Sequence, residues 1–375
     1  MLSLEGCRAR QQRALSLMVQ HQCDLLITGN YRTVYYFTGV LNAAEAPALF
    51  ALRQDGTSVL VSAAKSESGA ATEMLPVETY SIARAITHPA HDAVALFKTA
   101  LAARAGESPA RCAIEPASIT VLLHEVLAVL YPRMAFFDAT DLILALRKKK
   151  EEDEIAEIRA SLRYCALAYR TARETIAPGL TEIDIYNAMN AAIVREAGTV
   201  VPFAGDFACG ERSIAGGGPP TRRQLQQHDL YPLDLFPAPA LYFGDTCRTF
   251  SVGEPTDLQI RAWELVMEAI HIGEEMIRPG VRARDVYRAI KDFLDSQELT
   301  EKSFWHHAGH GIGHNGHEAP RIIPGTDDIF EIGDVITLEP GVYTAALQGG
   351  IRIEDNYVVN EHGLENLFDF PMELR

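Results

Sequence analysis

The chain has no run of about eighteen consecutive apolar residues, the length a helix needs to cross a bilayer. The sequence therefore predicts no membrane partner. It is also short of positive charge: 34 Lys and Arg stand against 50 Asp and Glu, a net charge of −16. That balance excludes the basic face a nucleic-acid partner requires. Its six cysteines, at 7, 23, 112, 165, 209 and 247, form no Cys-x-x-Cys pair. The opening stretch MLSLEGCRARQQRALS lacks the apolar segment of a secretory signal. The expectation is reduced thiols in a cytoplasmic protein. Apolar residues are not scarce: they make up 47% of 375 residues, enough for a sizeable core in one large or two ordinary domains.

Residues 1–147 read as an α/β segment. RQQRALSLMVQHQ has helical periodicity, DLLITG is a short apolar strand, and APALFALRQDGTSVLVS is a hairpin turning at Asp55-Gly56. A helix follows at 91–104. At 147–154 stands the charge block RKKKEEDE, read as a solvated helix start and as the boundary before a second domain, 148–375. That second part contains a repeat. Ile176, Pro178, Gly179, Asp184 and Tyr186 recur as Ile277, Pro279, Gly280, Asp285 and Tyr287, each 101 residues on. Each set follows an amphipathic helix, at about 153–175 and 256–276, and opens another. Two related halves would place a site between their sheets.

After each helix pair, strand-like runs carry isolated acids. Asp234 and Asp245 lie in LYPLDLFPAPALYFGDTCRTFSVG, Glu339 in DVITLEPGVYT and Glu354 in GGIRIEDNYVV. In the last run Arg352 and Glu354 share one face, Ile351 and Ile353 the other. An acid inside an apolar strand is costly unless it is paired or binds metal. For any one of them a salt bridge or a strand edge would suffice. Four together, with the run GHGIGHNGHEAP at 309–320, favour a metal site. Four carboxylates and one neutral imidazole total −4, which two divalent cations cancel. Such a pair makes a bridging hydroxide available near neutral pH. Oxygen-rich ligation suits Mn²⁺, Co²⁺, Fe²⁺ or Zn²⁺. Glycines around His310 would let backbone and imidazole come close to the ions.

Asp234, GDTCRTF, GHGIGHNGHEAP, ITLEPGVY and GGIRIEDN follow one another, over 229–356, in the order and spacing of a known family. The chain resembles the pita-bread metallopeptidases: methionine aminopeptidase, Xaa-Pro aminopeptidase and prolidase. DLLITGNYRTVYYFTGV and LRKKKEEDEIAEIR resemble the first domain and the domain junction of the creatinase-like branch. The resemblance implies an α/β N-terminal domain followed by an α+β pita-bread domain with an internal pseudo-two-fold repeat. It implies that Asp234 binds one ion, that Asp245 and Glu354 bridge two, and that His310 and Glu339 complete the second. Glu339 would also move the proton of the attacking water. His317 would steady the scissile carbonyl or the tetrahedral intermediate, and His306 would line the pocket after the cut. Arg352 resembles the arginine that holds the bridging glutamate or the substrate end. His314 and His307 are expected as loop or supporting residues, Tyr242 as packing or substrate contact, and Cys247 as a small buried residue. A homodimer and a small peptide or small-molecule substrate are further implications.

The chain departs from the family twice. The histidine of a Pro-His pair, some seventeen residues before the first metal aspartate, is missing; Thr221 or a glycine stands there, and His228 is a poor substitute. Beside Asp234 a small residue is replaced by Phe236, followed by Pro237 and Pro239. Three functions remain in view: an Xaa-Pro peptidase, a relative acting on a small non-peptide substrate, and a binding protein that has lost catalysis.

Overall fold

The computed structural model describes residues 1–374 except 65, 67, 84, 87 and 105–107. Its internal contacts divide the chain into two units, Met1–Arg147 and Lys148–Arg375. The first unit alternates α1 (Leu4–Gln20), β1 (Leu25–Thr28), α2 (Tyr31–Thr38), β2 (Ala48–Arg53), β3 (Ser58–Ser62), β4 (Glu73–Pro76), α3 (Pro89–Ala103), β5 (Arg111–Ile114), α4 (Val121–Leu130), β6 (Ala135–Asp138) and α5 (Thr140–Lys148). Among the described residues the strands form one mixed sheet in the order β4-β3-β2-β1-β5-β6. β2 and β3 are the hairpin expected from the sequence. Asp55 makes the turn by accepting a hydrogen bond from Thr57 N at 2.8 Å, and Gly56 takes a φ of 84°. β1, β2, β3 and β5 are almost wholly buried, with helices packed on apolar side chains of both faces.

The second unit contains α6 (Glu152–Thr175), α7 (Glu182–Ala197), β7 (Gly205–Asp206), β8 (Leu230–Leu235), β9 (Thr246–Ser251), α8 (Asp257–Met276), α9 (Ala283–Asp295), β10 (His310–Gly311), β11 (Glu318–Arg321), β12 (Val335–Leu338), β13 (Gly341–Thr344), β14 (Gly349–Arg352), β15 (Asp355–Asn360) and β16 (Gly363–Asn366). The sheets run β7-β8-β9, β11-β10-β12-β15-β16 and β13-β14. The repeat read from the sequence is present in detail. Gly179 and Gly280 both take a φ of 90°. The N–H of Gly179 donates to Leu225 O and that of Gly280 to Phe330 O, each at 2.9 Å. Further on, Asp229 Oδ2 accepts from Gln226 N at 2.7 Å, and Asp334 Oδ2 accepts from Glu331 N at 2.8 Å. Five residues after each of these aspartates comes Asp234 or Glu339. The duplication therefore carries the acids with it. Its halves differ at the helix caps: Thr181 and Asp184 form a capping box on α7, whereas Arg282 offers α9 no side-chain cap.

The charge block is not wholly solvated, which corrects the sequence reading. α6 does begin there, but the Lys150 side chain is 1% exposed and pairs with Glu318 at 2.8 Å. Glu154 is buried and accepts from the Tyr242 hydroxyl at 2.8 Å. The first turn of α6 lies against the loop of Gly313, where a Cβ would come within 2.8 Å of Lys150 Cε. Charges placed there need partners, and each has one.

Candidate metal centre

Five side chains converge in the second unit, each placed by a strand end. Asp234 lies in β8, opposite β9. Asp245 stands just before β9, its carbonyl accepting from Asn356 Nδ2 at 2.5 Å and its N–H donating to Asn356 Oδ1 at 3.2 Å. Glu339 follows β12, with its N–H on Ala308 O at 2.9 Å. Glu354 sits between β14 and β15 and exchanges both backbone hydrogen bonds with Cys247, at 3.0 and 3.2 Å. His310 is carried by β10. None of the five residues is more than 8% exposed.

Ligating atoms of Asp245, His310 and Glu354 lie within 4.8 Å of one another. His310 Nε2 is 3.2 Å from Glu339 Oε1 and 3.8 Å from Asp245 Oδ2. Its Nδ1 is 3.0 Å from the carbonyl of Gly311. A carbonyl only accepts, so Nδ1 carries the proton of the neutral ring and the Nε2 lone pair faces carboxylates. Asp234 Oδ1 and Glu354 Oε2 are buried with no hydrogen-bond partner. Lone pairs aimed at lone pairs, with orphaned oxygens among them, call for a cation. Burial pushes Asp234 up to about 6, although Arg352 works against the shift. Burial, then the neighbouring carboxylates, push Asp245 and Glu354 well above the usual range. Glu339 is held well below it: burial would raise it, but the His307 imidazole, 3.1 Å away, works against burial. The donor set fits divalent metal.

Three of the four glycines of GHGIGHNGHEAP serve close approach. A Cβ on Gly309 would be 2.2 Å from Thr337 O, and one on Gly311 would be 2.1 Å from Ala319 O. Gly313 is crowded by Lys150, as described, while Gly316 faces open space. His314 is buried, its Nδ1 3.1 Å from Leu241 O and its ring 4.0 Å from that of Tyr242. Tyr242 thus packs beneath the loop. The His317 ring stands 4.0 Å from His310 and 5.4 Å from His307. Desolvation and these two imidazoles lower its pKa to about 4, so it is neutral at pH 7. His306 is likewise lowered to about 4, chiefly by burial. Cys247 is buried, and burial pushes its thiol up.

Arg352 holds Asp234 rather than Glu354: Nη2 donates to Asp234 Oδ2 at 2.5 Å. Its Nη1 donates to Tyr343 Oη and to Gly216 O, both at 3.1 Å. His306 Nε2 lies 2.9 Å from Tyr343 Oη, and His306 Nδ1 lies 2.6 Å from His307 O. The carbonyl fixes the proton on Nδ1, so Tyr343 donates to Nε2. A chain of hydrogen bonds therefore joins Asp234, Arg352, Tyr343 and His306, with Arg352 donating to both its neighbours and Tyr343 donating on to His306. His228 lies in a turn on Glu254 O at 2.8 Å and takes no part. Thr221 is bound to Glu182 through its N–H and hydroxyl, at 2.9 and 2.6 Å.

His307 takes the supporting place expected of it, and three further contributors escape a reading by sequence alone. His307 Nδ1 reaches Glu339 Oε1 at 3.1 Å. Tyr343 links Arg352 to His306. Buried Glu182 gathers Cys209 N, Arg212 and Thr221, tying down the loop beside the site. Arg248 satisfies all its donors on Pro371 O, Cys247 O, Glu354 O, Phe370 O and Asp355 Oδ1. An arginine inside the strand Thr246–Ser251 is the same signal that marked the acids.

Four buried acids and an imidazole on a duplicated α/β frame define a protein that binds divalent metal. Residues 156–361 match metallopeptidase family M24, and residues 10–149 match the creatinase/prolidase N-terminal domain. The chain belongs to metallopeptidase family M24, whose members use divalent metal ions. It is 34% identical over 246 residues to the probable dipeptidase PepE of Mycobacterium tuberculosis, a match covering 63% of this chain and 62% of that protein. It is 30% identical over 234 residues to the Xaa-Pro dipeptidase of Pyrococcus furiosus, covering 62% and 67%. The prolidase of Pyrococcus horikoshii OT3 has the same fold, with a TM-score of 0.80 at 24% identity over 98% of this chain and 100% of that one. So has the X-Pro aminopeptidase of Thermotoga maritima, at 0.82, 22%, 97% and 99%. Among the described residues no helix is long and apolar enough to cross a membrane.

Proposed function

We propose that this chain is an Xaa-Pro peptidase, a dipeptidase or an aminopeptidase, working with two divalent ions held by Asp234, Asp245, His310, Glu339 and Glu354. The observation that carries the reading is the His310 lone pair facing buried carboxylates, two of whose oxygens have no other partner. Manganese, cobalt, zinc or iron suits this donor set, and we take manganese as the working ion. A cytoplasmic homodimer completes the reading. When bound, the ions supply Lewis acidity and an activated water near neutral pH.

The protein's own groups do the rest. Glu339, held ionised by His307, takes the proton of the attacking water and passes it to the leaving nitrogen. Neutral His317 keeps an N–H for the carbonyl oxygen as it gains charge. Neutral His306, oriented by Tyr343, lines the side that receives the proline. Arg352 holds Asp234 in place. The test is turnover of Xaa-Pro dipeptides and of longer Xaa-Pro peptides by metal-loaded protein. Cleavage confined to dipeptides identifies a dipeptidase; cleavage of longer peptides identifies an aminopeptidase. Turnover of neither with metal bound would refute the peptidase reading in favour of a small non-peptide substrate, which the departures from the family at Thr221 and Phe236 support. Glu339→Ala is expected to abolish turnover while the chain stays folded.

A further inference from the structure

Asp206 has no part in the chemistry above, yet the fold aims it at the same cavity. It lies on β7, whose register sets it directly opposite Asp234 on β8. Residues paired in this way present their side chains to one face of the sheet. Asp206 Oδ1 accepts from Gly218 N at 2.8 Å. Its Oδ2 is 3.6 Å from Arg352 Nη2, beyond hydrogen-bond reach, and that same nitrogen is committed to Asp234 at 2.5 Å. The Asp206 side chain is 37% exposed, against 11% for Asp234. Its Oδ2 therefore has only a long ion pair to Arg352, on a side chain that is partly exposed beside the centre.

The opposite loop is cut to admit this carboxylate. A Cβ on Gly217 would stand 2.1 Å from Asp206 Oδ2 and 2.8 Å from its Cβ. A Cβ on the preceding Gly216 would stand 2.9 Å from the indole of Trp305. Trp305 is 54% exposed and packs against Tyr343 with ring centroids 5.5 Å apart. Consecutive glycines thus meet an exposed indole and an incompletely paired carboxylate. An ammonium or guanidinium group would gain an ion pair from one and a cation–π contact from the other.

We propose that Asp206 is a specificity-determining residue that, with Trp305 at the neighbouring glycine, receives a cationic side chain of the substrate. The peptide identity of that substrate rests on the Xaa-Pro reading; the preference for positive charge does not. Lysyl-proline should exceed norleucyl-proline in kcat/KM by roughly two- to fivefold, the worth of a partly exposed ion pair, and glutamyl-proline should fall below both. Asp206→Asn should bring the lysyl to norleucyl ratio close to one, chiefly through KM for the lysyl substrate. Gly217→Ala, which keeps the acid but displaces it, should move the ratio the same way. No charge preference in the wild type would overturn the proposal. So would a uniform loss on both substrates in Asp206→Asn with the ratio kept, since that is what a mere prop for Arg352 would give. A binding arm separates this inference from the peptidase reading. By titration calorimetry on the metal-loaded protein, n-butylammonium should bind, butyrate should not, and Asp206→Asn should weaken the cation roughly two- to fivefold. Equal binding to wild type and variant overturns the role of Asp206 whatever the turnover. Cation selectivity without Xaa-Pro turnover supports it and overturns only the peptidase reading.

Discussion

Arg248 shows how one residue can hold a site it never enters. It binds the carbonyl of Glu354 at 2.9 Å and the carboxylate of Asp355 at 2.6 Å, with both side chains of that pair 1% exposed. Arg248→Met would leave Asp355 charged and unpaired in the interior. The expected cost is roughly 3–5 kcal/mol, read as a lower denaturation midpoint. Glu354→Ala acts on the centre itself: metal per chain, measured on purified protein, should fall from two to one or less. These residues differ in how readily a sequence discloses them. The acids and His310 stand out because a charged or imidazole side chain in an apolar or glycine-rich run needs a physical reason. Asp206 does not stand out, because its meaning comes from pairing with Asp234, twenty-eight positions away. Strand register of that range is not written in local pattern. His307 is legible as a supporting residue, but only the fold names Glu339 as its partner.

At the scale of elements, the two halves of the second unit offer a matched experiment. Gly179 and Gly280 share a φ of 90°, and neither has any atom within 4 Å of where a Cβ would stand. Alanine at either place meets no clash, so its cost is conformational alone. Gly179→Ala and Gly280→Ala should each destabilise by about 1–2 kcal/mol, and by equal amounts within error, in urea unfolding. Unequal costs would mean that the shared geometry does not carry shared energetics. The repeat was legible because helix stops depend on proline and glycine chemistry within a few residues. The charge block was only half legible: its sequence announces a helix start, but Lys150 and Glu154 are partnered by Glu318 and Tyr242, 168 and 88 residues downstream.

For the whole molecule, stability should depend on pH through a residue outside the centre. Asp334 is buried, and burial raises it to about 6, only partly offset by Glu331 N, Lys148 and Lys150. An acid with a raised folded pKa keeps its proton longer in the folded state. Its contribution to stability therefore falls as pH rises from about 4 to about 6 and is constant above. Asp334→Asn keeps an acceptor for Glu331 N and removes the charge. It should stabilise the protein by roughly 2 kcal/mol at pH 8 and by little at pH 4.5, measured by denaturant titration. Removing metal should act in the opposite direction. With a chelator the buried carboxylates lose their cation, and the melting temperature should fall by roughly 5–10 °C, recovering on addition of manganese.

The duplicated frame is symmetric in its acids but not in its nitrogen. Asp234 and Asp245 come from one half, Glu339 and Glu354 from the other, whereas the first half has no histidine between 203 and 227 to answer His310. Two ions held there would not be twins. By the proposed ligand set each ion would have three carboxylates and only one would add an imidazole, so the two positions can favour different metals. A protein grown with mixed metal supply would then be a heterometallic enzyme.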